Sequence, residues 1–208
     1  VRIVTHARWI EEGPALLART GAGYSVACGG RLDAERFESL LDRAAGALAG
    51  ENPATAVGLL QQALALWHGP AFGDHASDVL VAPEAVRLEE LRLIALEQKV
   101  EAEIPLGDHR RVIGELEALC EAHPLRERLW ELRMLALARS GRQAEALRAY
   151  QRARQVLVEE LGIEPSSRLQ QMEQSVLAQD PSLEAGPPPT EGAARRAPEG
   201  RCTFDAQG

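Results

Sequence analysis

From residue 33 onward, apolar side chains recur every three or four positions, the spacing that lines one face of an α-helix. Ala146, Tyr150, Ala153, Leu157 and Leu161 form the clearest such series. In the segment before it, Leu129, Leu132 and Ala136 make one apolar face, and Trp130, Met134 and Leu137 make a second. A helix that is apolar on two sides is packed between neighbours, as in a solenoid. Caps and breakers divide the pattern into helices. Asp33 is the expected N-cap of a helix over 34–49. Asn52-Pro53 reads as a cap followed by proline at the first helical position, where its missing N–H costs nothing. That helix runs to about Trp67 and stops at Gly69-Pro70. A long helix is expected from Pro83-Glu84 to Gly107, kinked or shortened in its last turn by Pro105. Asp108 caps a helix that ends before Pro124. Further helices follow over about 125–141, 143–161 and 166–178, with Gly162 as a stop.

The two ends break the pattern. Residues 15–20 and 24–28 read as short strands joined by the glycine turn Gly21-Ala22-Gly23, because glycine supplies the positive φ of a tight hairpin. From Pro181 to Gly208 apolar periodicity is nearly absent, and a disordered tail is expected.

Gly107 and Gly141 each end one helix and begin the next, and they stand 34 residues apart, the tetratricopeptide period. The unit around Gly141 carries Trp130, the turn glycine and then Ala146, Tyr150 and Ala153: an aromatic followed by small, large and small residues. Small residues let helices approach, and the aromatic fills the groove between them. Around Gly107 the pattern is poorer, with Val112, Leu116 and Leu119 in the corresponding places and Pro124 closing the unit. A third hairpin over 34–67 repeats the small–large–small spacing at Ala56, Leu60 and Ala63. Residues 68–83 form an insertion. The expected fold class is therefore all-α: a tetratricopeptide-like solenoid of helical hairpins preceded by a β-hairpin.

Composition agrees. The chain is 45% hydrophobic but only 4% aromatic, and its apolar residues are mostly Ala, Leu and Val, which suit closely packed helices. A net charge of −8 argues against a general nucleic-acid coat while leaving room for a local basic surface. Cys28, Cys120 and Cys202 form neither a disulfide framework nor a zinc pattern, which points to a reducing cytoplasmic setting. No apolar run is long enough to span a membrane, and the first residues lack the apolar core of a signal peptide.

No catalytic constellation is visible: there is no glycine-rich phosphate loop, no G-x-S-x-G and no H-E-x-x-H, so an enzyme is not expected. His68 and His75 share a loop with Asp74 and Asp78, but loop histidines are more often polar surface than ligands, and neither metal nor cofactor is assigned. Cys120, on an apolar helix face, reads as a buried small hydrophobe rather than a nucleophile. Charge is more informative. Residues 84–103 carry an excess of Glu, whereas 126–154 hold eight arginines. These include Arg142, Arg148 and Arg152, the last two spaced four apart on one face. A solvated face with i,i+4 pairs involving residues such as Glu145 is one reading; a docking surface for an acidic partner or phosphate is the other.

Three phrases carry a resemblance: LDAERFESLLDRA at 32–44, ALALWHGPAF at 63–72, and the continuous stretch from Arg87 to Leu177 that includes GRQAEALRAYQRARQVLVEELGIEPSSRLQQMEQSVL. In order and spacing they resemble the bacterial transcriptional activator domain, over about 32–178. In the streptomycete antibiotic regulatory protein family and its AfsR-like relatives this domain follows an OmpR-type winged helix. The resemblance implies a regulator that binds promoter direct repeats and recruits RNA polymerase, with a homodimer left open. It also assigns residues 1–30. Arg19-Thr20-Gly21-Ala22-Gly23-Tyr24 is similar to the end of the winged-helix wing, so the hairpin of about 15–28 resembles a wing remnant. Gly21 and Gly23 would shape the turn, Arg19 would meet a phosphate, and Tyr24 would anchor the strand. The recognition helix that reads the major groove is almost absent, so the chain resembles a truncated regulator or the C-terminal part of a longer one. A plain helical interaction scaffold with no promoter role is the alternative.

Overall fold

In the computed structural model, residues 32–107 and 109–184 are described, together with the backbone of residues 17–20 and 23–26. Two strands, β1 (Leu17–Thr20) and β2 (Gly23–Val26), pair antiparallel with Arg19 opposite Tyr24 and Thr20 opposite Gly23. The turn residues Gly21 and Ala22 lie outside the described residues.

The body is helical. It comprises α1 (Asp33–Ala49), α2 (Pro53–Leu64), α3 (Ala82–Glu103), α4 (His109–Ala122), α5 (Glu127–Arg139), α6 (Gln143–Leu161), α7 (Ser167–Leu177) and the short α8 (Pro181–Glu184). Local chemistry sets most boundaries. The Asn52 side chain accepts a hydrogen bond from Thr55 N–H at 3.1 Å, satisfying one orphan donor of α2. Ser166 does the same for Leu169 N–H at the start of α7. Gly107, Gly141 and Gly162 all adopt positive φ (95°, 73° and 69°), as expected for glycines that stop helices and turn the chain. The strain expected at Pro105 is absorbed by a 3-10 turn over Ile104–Leu106 that closes α3.

Four expectations need correction. Asp33 is not the cap of α1 but its first residue: Leu32 holds the cap position, and no side chain caps the helix. Asp33 and Glu35 place carboxylates in the first turn, where they face the positive end of the helix dipole. The second helix ends at Leu64, and Trp67 closes the following turn through its N–H to the Leu64 carbonyl. Leu161, in series with the buried face of α6, is half exposed at the last position of that helix. The chain is also ordered beyond Pro181: residues 181–184 form α8, held because Leu183 packs on the core and its carbonyl accepts a 2.8 Å bond from Arg139 Nε. The rest of the expected tail, 185–208, lies outside the described residues.

Packing follows the repeat. Ala56, Leu60 and Ala63 are fully buried, as are Ala146 and Ala153, so the small residues do sit where helices meet. Both apolar faces of α5 are buried, and α5 packs against α4, α6 and α7. The core has two parts. One gathers α1, α2 and the first half of α3 around Phe37, Leu60 and Leu88. The other runs from Val100 and Ile104 through α4–α7. Helix α3 belongs to both. Among consecutive helices from α1 to α7, α3 and α4 approach each other least, so the hairpin with the poorest repeat signal is the one that splays.

Candidate partner-docking surfaces

Ion pairing decides which surface charges remain available to a partner. The first two arginines of the basic stretch, Arg126 and Arg128, pair with the acidic stretch of α3. Arg126 donates to Glu97 at 2.7 Å and Glu90 at 2.6 Å. Arg128 bridges Glu101 (2.6 Å) and the nearly buried Glu131 (2.7 Å), which Arg168 of α7 also reaches at 2.9 Å. Lys99 is held by Glu115 at 2.6 Å and Glu103 at 3.5 Å. Arg133 pairs with Glu117, Arg142 with Glu145, and Arg154 with Glu164. Arg142 holds the Glu145 carboxyl below the usual carboxylate range, and Arg154 does the same to Glu164.

Two members of the predicted arginine surface are left. Arg148 is exposed and makes no hydrogen bond among the described residues, and Arg152 donates only to the neutral Gln155 at 3.1 Å. The three arginines singled out from sequence therefore differ. Arg142 is spent on a bidentate local pair, whereas Arg148 and Arg152 remain as a cationic pair one helical turn apart on α6. Of the hairpin residues singled out, Arg19, Thr20, Gly23 and Tyr24 lie on the paired strands, and Gly21 falls outside the described residues.

No group of three or more His, Cys, Asp or Glu side chains among the described residues is placed to hold a metal ion. His75 instead pairs with Asp78 at 3.2 Å, and His68 Nδ1 lies 3.2 Å from the Leu66 carbonyl. Cys120 is fully buried, and burial pushes its thiol pKa up to about 12. No described helix is long and apolar enough to cross a membrane.

Sequence reasoning missed one feature. Where α3 and α4 splay, an open groove of about 730 Å³ runs between the insertion and α3. Its lining includes Ala71, Ala85, Val86, Leu93, Leu96 and Leu119. A second hollow of about 400 Å³ continues it past His123 to Leu125 and Arg126. The signal in the sequence was Val86, an apolar side chain among the charged residues Glu84, Arg87, Glu89 and Glu90 of α3.

Comparison with known proteins places this framework. The family model described as "Bacterial transcriptional activator domain" matches residues 32–177. The regulatory protein DnrI of Streptomyces peucetius is 40% identical over 162 residues, covering 78% of this chain and 60% of DnrI. The regulatory protein AfsR of Streptomyces coelicolor is 41% identical over 172 residues, covering 82% of this chain but 17% of AfsR. Among solved structures, Mycobacterium tuberculosis EmbR in complex with a low-affinity phosphopeptide superimposes with a TM-score of 0.76 at 35% identity, over 81% of this chain and 46% of that one. The chain thus spans only part of the length of each of these relatives. With the match covering most of its length and every helix from α1 to α7, the chain belongs to the bacterial transcriptional activator domain family, of the kind carried by the streptomycete antibiotic regulatory proteins.

Proposed function

We propose that this chain is the activator module of a transcriptional regulator, working through protein contacts with the transcription machinery rather than through catalysis. The observation that carries the reading is the Arg148–Arg152 pair. In a helical frame that neutralises most of its arginines internally, these two are left facing solvent on one side of α6. Unpaired guanidinium groups on a rigid helix suit an acidic protein surface, and RNA polymerase is the partner we assign to them. The paired strands at 17–26 support a second part of the reading. They are the wing remnant of an OmpR-type winged helix within residues 1–30, joined to the activator domain over 32–178. Arg19 and Thr20 would lie against the DNA backbone, Gly21 and Gly23 would shape the turn, and Tyr24 would anchor the strand.

Promoter recognition then belongs to a longer form that carries a recognition helix. A wing contacts mainly backbone, and backbone contacts give affinity that fades with salt. The chain acts in the cytoplasm, needs no cofactor, and leaves homodimerisation on direct-repeat DNA to that longer form. The alternative, a helical scaffold with no promoter role, is separated by one pair of measurements. Purified RNA polymerase should bind immobilised residues 1–208, and R148E/R152E should weaken that binding about tenfold or more. In gel shifts at near-physiological salt, residues 1–208 should not shift a direct-repeat promoter. Polymerase binding that ignores the double reversal, or no binding at all, would favour the scaffold. Specific sub-micromolar DNA binding by this chain would show that the hairpin had been misread.

A further inference from the structure

The groove between the insertion and α3 has no role in that reading, and it stands independently of whether the chain acts at promoters. Its origin is geometric. Helix α3 has 22 residues and α4 has 14, so antiparallel to one another they cannot cover each other's full length. At about 1.5 Å per residue, the excess of α3 overhangs by about two turns. Over that overhang the insertion curls alongside without closing the gap. The floor is apolar and well packed: Ala71, Ala85 and Leu93 are buried. At its edge Val86 is 71% exposed, and Leu96 and Leu119 line it half-buried. A bare valine at the edge of an apolar hollow, with leucines along its wall, marks an interaction surface rather than scattered surface hydrophobes. From Ala85 to Leu96 the lining of α3 runs about three helical turns, the contact length of a short amphipathic helix laid in a groove.

The charge around the groove selects the occupant. Glu89, Glu90 and Arg92 line it, Arg126 lines the hollow that continues it, Asp74, Asp78, Glu84 and Arg87 lie within two residues of lining positions along the chain, and Glu38 reaches Arg87. The arginines are already engaged. Arg87 is clamped by Glu38 and Glu84, Arg92 lies 4.7 Å over the Trp67 ring beside Glu89, and Arg126 is bound to Glu90 and Glu97. Carboxylates outnumber these arginines, and Asp74 and Asp78 of the insertion are exposed, so the charge that remains is negative. A second copy docking face to face would set acidic rim against acidic rim, which is repulsive. The tail after residue 184 offers one large aromatic, Phe204, and no apolar ridge. We infer that this groove is a docking site for an amphipathic helix of a partner protein, with an apolar ridge at i, i+3/i+4 and i+7 flanked by Lys or Arg.

The test uses residues 1–208 and two fluorescein-labelled model peptides of about 14 residues, the length of roughly four turns. Both carry the same leucine ridge; one is flanked by lysines and the other by glutamates. In fluorescence anisotropy the lysine peptide should bind and the glutamate peptide should bind at least about tenfold more weakly. The deciding variant is Val86→Glu. Val86 is exposed, so the fold should survive, which circular dichroism checks. The change adds negative charge, so it should strengthen any purely electrostatic attraction to the lysine peptide. A site in the groove requires the opposite, a loss of about tenfold or more, because the carboxylate would lie on the apolar rim. Leu96→Ala should weaken binding severalfold, and Asp74→Asn/Asp78→Asn should do so more at low than at high salt. Equal binding of both peptides, or lysine-peptide binding that Val86→Glu leaves unchanged or strengthens, overturns the proposal. So does a concentration-dependent dimer in sedimentation that Val86→Glu abolishes, since a second copy would then be the occupant.

Discussion

The Trp130 indole N–H donates a hydrogen bond to the Pro124 carbonyl at 2.8 Å, so the aromatic that marks one repeat is tied to the proline that closes the one before it. The indole is nearly buried, with the Arg133 guanidinium 5.9 Å from its ring centre. One side chain therefore both fills the groove beside α5 and fixes the turn leading into that helix. Trp130→Phe keeps most of the apolar area but removes the donor and leaves some empty volume. It should lower unfolding free energy by about 1–2 kcal/mol. Urea titration followed by circular dichroism measures this, and an unchanged midpoint would mean that the turn does not depend on the bond.

Ala146 is completely buried on the face of α6 that meets α5. Ala146→Leu should destabilise by about 1–3 kcal/mol, since the extra carbons force the paired helices apart. Ala144, exposed on the same helix, is the control: Ala144→Leu should be near neutral. If both variants melt like the parent, the small residue is not what lets these helices approach.

The helices were legible because their signals are local. Asn52-Pro53, Gly107, Gly141 and Gly162 each act within a few residues of themselves, and the structure uses them as the sequence suggests. The small–large–small series was equally plain, since burial of a helix face leaves its mark at fixed spacing. The ion pairs were not legible. From sequence, Glu145 is expected in an i,i+4 pair; its partner is instead Arg142, three residues back at the N-cap of α6. Arg126, Arg128 and Arg133, however, find Glu97, Glu101 and Glu117, 16 to 29 residues away. Those partners depend on how α3, α4 and α5 sit against one another, which periodicity does not encode. The groove escaped for a similar reason: the unequal lengths of α3 and α4 can be read from the sequence, but how the insertion lies along the overhang of α3 cannot.

Ordering of residues 181–184 changes where the chain can be shortened. Asp180 accepts a bond from Ser182 N–H at 2.9 Å, Leu183 packs on the core, and Arg139 holds the Leu183 carbonyl. A chain ending at Glu184 should melt like the full one. Ending it at Asp180 should cost about 1–2 kcal/mol, from one part-buried leucine and one hydrogen bond. Thermal melts of the two truncations side by side decide this, and identical curves would show that α8 contributes nothing.

Cys120 ties burial to pH. Its thiol has an ordinary pKa of 9.0, and desolvation in the α4 interior raises it to about 12, only partly opposed by Arg133. The folded protein therefore keeps the proton that the unfolded chain releases above about pH 9. A group whose folded pKa is raised contributes stability that is complete below its unfolded pKa and is lost as pH rises towards the folded one. Stability should thus be insensitive to this thiol up to about pH 9 and should fall between about pH 9 and 12. The loss should be smaller in Cys120→Ala, once the lower starting stability of that variant is allowed for. Reactivity gives the independent check. In a Cys28→Ser/Cys202→Ser background, the single remaining thiol should react with an aromatic disulfide reagent at pH 8 only as fast as the helices open. That rate should be at least about a hundredfold below the rate in denaturing urea. Reaction in the folded state at the speed of a free thiol would place Cys120 at an accessible surface and remove it from the core.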